Sequence, residues 1–152
     1  MPTLLTYVKP DGSTLYQCDL KGNPAVGGSF FKASELSCPC CNKLTVTNEF
    51  IDHLVKLREV FDYPMHPTSC ARCLEHNTAI GGHYRSLHLM LNPRGHTGTL
   101  AIDISRHNMS EWVSGQLAGI AYAFGWSVGI ADSFIHLDRR IDIGLPQAKF
   151  SY

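Results

Sequence analysis

An α+β domain, a small antiparallel sheet packed with helices, is the fold this sequence predicts, and three observations predict it. Residues 50–61 and 112–124 each carry an apolar stripe at helical spacing, while 100–105, 126–130 and 134–137 are short apolar or alternating runs bounded by turn-forming residues. The chain has 152 residues, 44% of them hydrophobic and 17% charged, enough to bury one core without disulfide or metal help. Helices and strands in separate blocks, with no internal repeat, suit a layered α+β arrangement and not a repeated βαβ one.

Residues 1–30 are expected to form an N-terminal arm or hairpin, and residues 31–152 the main domain. Leu4 to Val8 and Thr14 to Cys18 flank Asp11-Gly12, a hairpin signal, and Gly22, Pro24, Gly27 and Gly28 then make an irregular connection. Thr47 is placed to cap a helix with Glu49 in its first turn; Phe50, Leu54, Leu57 and Phe61 form its buried face, widened by Ile51 and Val55, and Pro64 stops it. A shorter helix is expected from Leu74 to Ile80, ended by Gly81-Gly82. Asn108 and Glu111 match capping-box spacing ahead of a stripe of Trp112, Val113, Leu117, Ile120, Ala121 and Phe124. Gly125 closes it.

Thirteen basic residues balance thirteen acidic ones, and no basic run or basic amphipathic helix occurs, so nucleic acid and anionic membrane are not expected partners. The first residues lack a basic leader and a long apolar core, which predicts synthesis in the cytoplasm without a signal peptide and no membrane insertion. Nothing in the sequence fixes the oligomeric state.

Eight histidines are many for this length. In the run from Leu100, alternation places Asp103 opposite Ile102 and Ile104; in Phe134-Ile135-His136-Leu137-Asp138 it places His136 and Asp138 together. A carboxylate in a half-buried strand is costly unless paired, hydrogen-bonded or coordinated. Two imidazoles and a carboxylate suffice for a catalytic zinc with water in the fourth position. His88 and His96 are the rival third ligands, and spacing alone leaves open that these histidines are ordinary and that Asp103 caps a loop.

Several segments together resemble the zinc D-Ala-D-Ala carboxypeptidase family, whose phage and bacterial members include peptidoglycan endopeptidases. They are Phe31 with Glu35-Leu36 and Cys38, Leu57-Arg58-Glu59, Thr68 to Asn77 with Ile80-Gly81-Gly82, Ser86-Leu87-His88, Ala101 to Ile104, and Phe134 to Asp138. The resemblance covers about residues 30–140 in order. It implies the small α+β fold shared with hedgehog signalling domains, a Zn2+ held by His88, Asp103 and His136, Arg72 over the site to meet negative charge, and Ser86 helping to hold a peptide carboxylate. It implies hydrolysis of peptidoglycan stem peptides by metal-activated water, acting on the cell wall after release or as a phage component such as an endolysin. The runner-up is a non-catalytic peptidoglycan-binding or virion-structural module that retains the fold.

Two departures from the family pattern stand out. His88 and Asp103 are fifteen residues apart where the family has seven, so a loop of eight extra residues, within Met90 to Thr99, is expected to wall the cleft with Arg94 toward a substrate carboxylate. Ser133 and Phe134 occupy the positions where the family carries its proton acceptor. Asp132 is therefore the expected general base, with Asp138 as its rival.

Cys38-Pro39-Cys40-Cys41 and Cys70-Ala71-Arg72-Cys73 contain two C-x2-C pairs. Cys38, Cys41, Cys70 and Cys73 are read as a second zinc site, as disulfides, or as free thiols. A cysteine nucleophile, Cys70 or Cys73 with His76, is the competing enzyme class.

Overall fold

The computed structural model describes residues 3–9 and 11–152; of the expected arm, Met1, Pro2 and Pro10 lie outside the described residues. In chain order the elements are β1 (Thr3–Val8), β2 (Thr14–Leu20), β3 (Ala25–Val26), β4 (Phe31–Lys32), α1 (Ala33–Leu36), β5 (Lys43–Thr47), α2 (Asn48–Phe61), β6 (Pro67–Ser69) and α3 (Leu74–Ala79). They continue with β7 (Ala101–Ser105), α4 (Glu111–Ala123), β8 (Ser127–Ile130), β9 (Phe134–Asp138), a 3-10 turn (Arg140–Ile143) and β10 (Lys149–Ser151). This is the mixed α+β class read from the sequence, with four α-helices among the described residues.

β1 and β2 form an antiparallel hairpin, and the Asp11 carboxylate accepts from the Ser13 amide at 2.8 Å to close its turn. β1 also pairs in parallel with β5, Leu5 beside Leu44 and Tyr7 beside Val46, so the hairpin is continuous with the body. The parallel partner was not visible in the sequence, because Lys43-Leu44-Thr45-Val46-Thr47 runs straight into a helix cap. The Thr47 hydroxyl accepts from the Phe50 amide at 3.1 Å, as its position implied. Phe50, Ile51, Leu54, Leu57 and Phe61 are buried along α2, and Asp62 ends it in the left-handed conformation before Pro64 is reached.

The second long helix departs from expectation at its start. Ser110, not Asn108, caps it, accepting from the Val113 amide at 3.1 Å. Its buried face is Ser114, Leu117, Ala118 and Ala121, small residues that allow close approach, while Trp112 is 67% exposed. α4 packs on α2 and on the sheet; across that layer Phe50 and Trp126 meet edge to face at 5.7 Å between centroids.

The sheet that carries the site has the order β10-β8-β9-β7-β6. Its neighbours are antiparallel except β10, which adds in parallel to β8. The antiparallel expectation therefore holds for the centre and fails at one edge. Phe150 of β10 lies over Gly129, where a Cβ would overlap the ring. Among the described residues no helix is long and apolar enough to cross a membrane.

Candidate metal centre

β7 and β9 pair so that Asp103 stands directly opposite His136, and both side chains leave the same face of the sheet. The other face, Ile102, Ile104, Ile135 and Leu137, is wholly buried in the core. His88 arrives from a loop fastened at several points. Its carbonyl accepts from the Arg72 amide at 2.9 Å and the Thr99 hydroxyl at 2.9 Å, and Leu100 N donates to Leu87 O at 2.8 Å. The loop between His88 and Leu100 is thus anchored at both ends.

His88 Nε2 lies 3.2 Å and His136 Nδ1 2.9 Å from the same oxygen, Asp103 Oδ1. The far side of each ring decides its tautomer. His88 Nδ1 is 2.7 Å from the Cys70 carbonyl, which can only accept, so Nδ1 carries the proton and Nε2 presents a lone pair. His136 Nε2 is 2.8 Å from Asp138 Oδ2, so it too donates outward. In their neutral forms the two imidazoles and Asp103 aim three acceptors at one point, an arrangement that repels itself unless a cation stands there. Outer partners that fix the tautomer of a ligating histidine are the common companions of metal sites. The donor set, two imidazole nitrogens and one carboxylate oxygen within 4.8 Å of one another, fits zinc.

Without a metal, protons take up that tension. Burial opposes charge on His136, but Asp103 and Asp138 outweigh it and push its pKa up to about 9. Burial holds His88 below the ordinary histidine value. Asp103 is likewise opposed by burial, yet hydrogen bonds from His136 and His88 keep its carboxyl well below the usual range. Asp138 is held at about 2, since the Arg140 guanidinium and His136 together overcome its burial.

A cavity of about 420 Å³ opens onto this centre. Arg72 reaches in from the segment between β6 and α3. Its Nε donates to Ser69 Oγ at 2.9 Å, Nη1 to Asn77 Oδ1 at 3.2 Å, and Nη2 to Asp103 Oδ2 at 3.4 Å. Asn77 is buried and donates to the His83 carbonyl at 2.9 Å, and Gly82 is the only residue that fits beside it, because a Cβ there would collide with the amide. Ser86 lines the cavity, and its hydroxyl accepts from the His88 amide at 3.2 Å.

Four arginines, Arg72, Arg85, Arg94 and Arg140, border the cavity against two carboxylates, Asp103 and Asp138. Sequence reasoning had singled out only Arg72 and Arg94. Arg140 binds Asp138 through Nε at 2.9 Å and Nη2 at 2.7 Å. Tyr152, at the end of β10, and Phe134 form the aromatic side of the opening. Nothing in the local pattern of Lys149-Phe150-Ser151-Tyr152 announced a strand at the sheet edge beside the site.

Position bears on the expected base and on two rival readings. Asp132 does not line the cavity; it is exposed in the turn between β8 and β9. His96 faces away, into a second cavity with Lys9, Thr47 and His53, because its loop folds back on itself through a bridge between Leu91 and Thr97. Cys70 lies outside the group formed by Cys38, Cys41 and Cys73, and burial pushes its thiol far above the ordinary value, which disfavours the nucleophilic thiolate.

Residues 23–138 match the family model described as Peptidase M15. Neither a curated protein nor a solved structure matches the chain.

Proposed function

The chain belongs to the Peptidase M15 family, and from that premise we propose that it is a zinc-dependent hydrolase of peptidoglycan stem peptides, a D-Ala-D-Ala carboxypeptidase or an endopeptidase. The observation that carries this reading is the convergence of His88 Nε2, His136 Nδ1 and Asp103 Oδ1, each ring turned by an outer acceptor so that its lone pair faces inward. Zinc in such a site supplies a bound water of lowered pKa and polarises the scissile carbonyl.

The protein's own groups do the rest. Asp138 and the Cys70 carbonyl hold the two imidazoles in their ligating tautomers. Arg72, locked by Ser69 and Asn77, presents a guanidinium to the oxygen on which negative charge develops, and its pre-set position costs no reorganisation during reaction. Ser86 is placed to orient the peptide carboxylate, and Arg85, Arg94 and Arg140 suit an anionic substrate along the walls. Asp138 is a positioning residue, since both its oxygens are engaged by His136 and Arg140.

The test is incubation of zinc-loaded protein with purified cell-wall peptides, with products followed by mass. Loss of one D-Ala marks a carboxypeptidase and separation of cross-linked or internal fragments an endopeptidase; absence of cleavage at every zinc load would overturn the proposal. One observation favours a second reading, a peptidoglycan-binding or virion module without turnover: neither expected carboxylate stands free beside the centre. Saturable binding to intact peptidoglycan with no product would support it. In either reading the target is the cell wall, reached after release or from a phage particle.

A further inference from the structure

The other cluster of ligand-type side chains lies outside the cavity. The sulfurs of Cys38, Cys41 and Cys73 are all within 4.8 Å of one another, and the Cys40 thiol adjoins that of Cys73. The loop after α1 turns tightly to achieve this. Cys38 N donates to Lys43 O and Asn42 N to Cys38 O, both at 2.8 Å, with Asn42 in the left-handed conformation. Backbone amides then point at sulfur: those of Cys40, Cys41 and Cys73 at Cys38 Sγ, the last at 3.4 Å, that of Lys43 at Cys41 Sγ, and that of His76 at Cys73 Sγ at 3.4 Å. At Cys38 the amide donors outweigh burial and favour the thiolate form.

We propose that Cys38, Cys41 and Cys73, with Cys40 closing the set, bind a structural zinc ion distinct from the histidine centre. A tetrahedral zinc with bonds of about 2.3 Å sets its sulfurs about 3.8 Å apart, within the spacing found. A disulfide joins only two sulfurs and would leave the third, with its amide donors, unused. Each ligating thiol gives its proton to solvent, and no oxidant or reductant takes part. Cys70, expected from the C-x2-C pattern, is replaced by Cys40.

The site would brace catalysis without entering it. Cys73 follows Arg72 directly, and Ala71 N donates to Leu36 O at 3.0 Å just ahead of the cysteine loop. Zinc there clamps the loop after α1 to the segment that carries Arg72. The inference does not depend on peptidase activity, and metal content separates the two sites.

The experiment measures zinc per chain, by elemental analysis, in protein purified under reducing conditions. The expected values are two for the native protein, one for Asp103→Ala, and none for Asp103→Ala combined with Cys38→Ser and Cys41→Ser. Because the cysteine variants can fail to fold, folded Asp103→Ala is also loaded with cobalt. Thiolate-to-cobalt charge-transfer absorption is expected, weakened when Cys40→Ser is added. Asp103→Ala protein that is folded yet holds no zinc, a disulfide among these cysteines, or cobalt spectra lacking the charge-transfer band would each overturn the proposal.

Discussion

The two groups of ligand-type side chains are held by different kinds of backbone. Asp103 and His136 sit opposite each other on paired strands, and His88 hangs from a loop tied to both Arg72 and Thr99. Cys38, Cys41 and Cys73 sit on a tight loop and at the start of a six-residue helix, with amides rather than a ladder aiming them. The difference teaches where rigidity comes from. In the histidine centre the sheet and the outer acceptors set the geometry before any ion arrives; in the cysteine group the ion itself would supply much of the order.

The largest effect expected at the ladder site is that of Asp103→Ala. Stabilisation of several kcal/mol by a bound metal corresponds to roughly 1000-fold or more in rate. Turnover should fall by that amount while the circular dichroism spectrum persists, because the strand hydrogen bonds remain. Arg72→Ala should lower kcat by about 100-fold or more with zinc retained, the scale of losing one oxyanion donor. A change confined to KM would place Arg72 on ground-state binding instead. Asp138→Asn should weaken zinc binding by about 10- to 100-fold in competition with a chelator, because His136 loses the partner that fixes its tautomer.

Proton occupancy sharpens the same comparison. His136 in the metal-free protein has its pKa raised to about 9, so the stability from its carboxylate pairs is complete below the unfolded value of about 6.5 and is lost as pH rises through about 9. Asp138 is depressed to about 2, so its contribution is complete above about 3.9 and is lost as pH falls toward 2. Thermal melts of metal-free protein should therefore fall off at both ends, and Asp138→Asn should flatten the acid limb. The smallest effect belongs to Asp132→Asn, which should leave turnover within about twofold, as befits an exposed turn residue. A large loss would return Asp132 to the site.

Much of the ladder site was legible before any coordinates. Period-two alternation placed Asp103 away from Ile102 and Ile104, and His136 away from Ile135 and Leu137, and the pairing of β7 with β9 then brought the two polar residues together. Thr47 announced α2 through a local capping bond. What escaped depends on partners remote in sequence. β5 pairs with β1 about forty residues away, and β10 lies beside β8 only because Gly129 leaves room for Phe150. Asn77, which holds Arg72, looked like any helical asparagine. Spacing proposed Cys70 for the thiol group, but Cys70 turns its sulfur into the core and gives its carbonyl to His88.

The central claim is that three acceptors, pre-aimed by the sheet and by the outer partners, hold one zinc ion. Anomalous diffraction at the zinc edge from crystals of zinc-loaded protein tests it most directly. The expected result is an ion about 2.0–2.2 Å from His88 Nε2, His136 Nδ1 and Asp103 Oδ1, with Asp138 still bonded to His136 Nε2. An ion bound through His96, through His136 Nε2, or nowhere near Asp103 would contradict it.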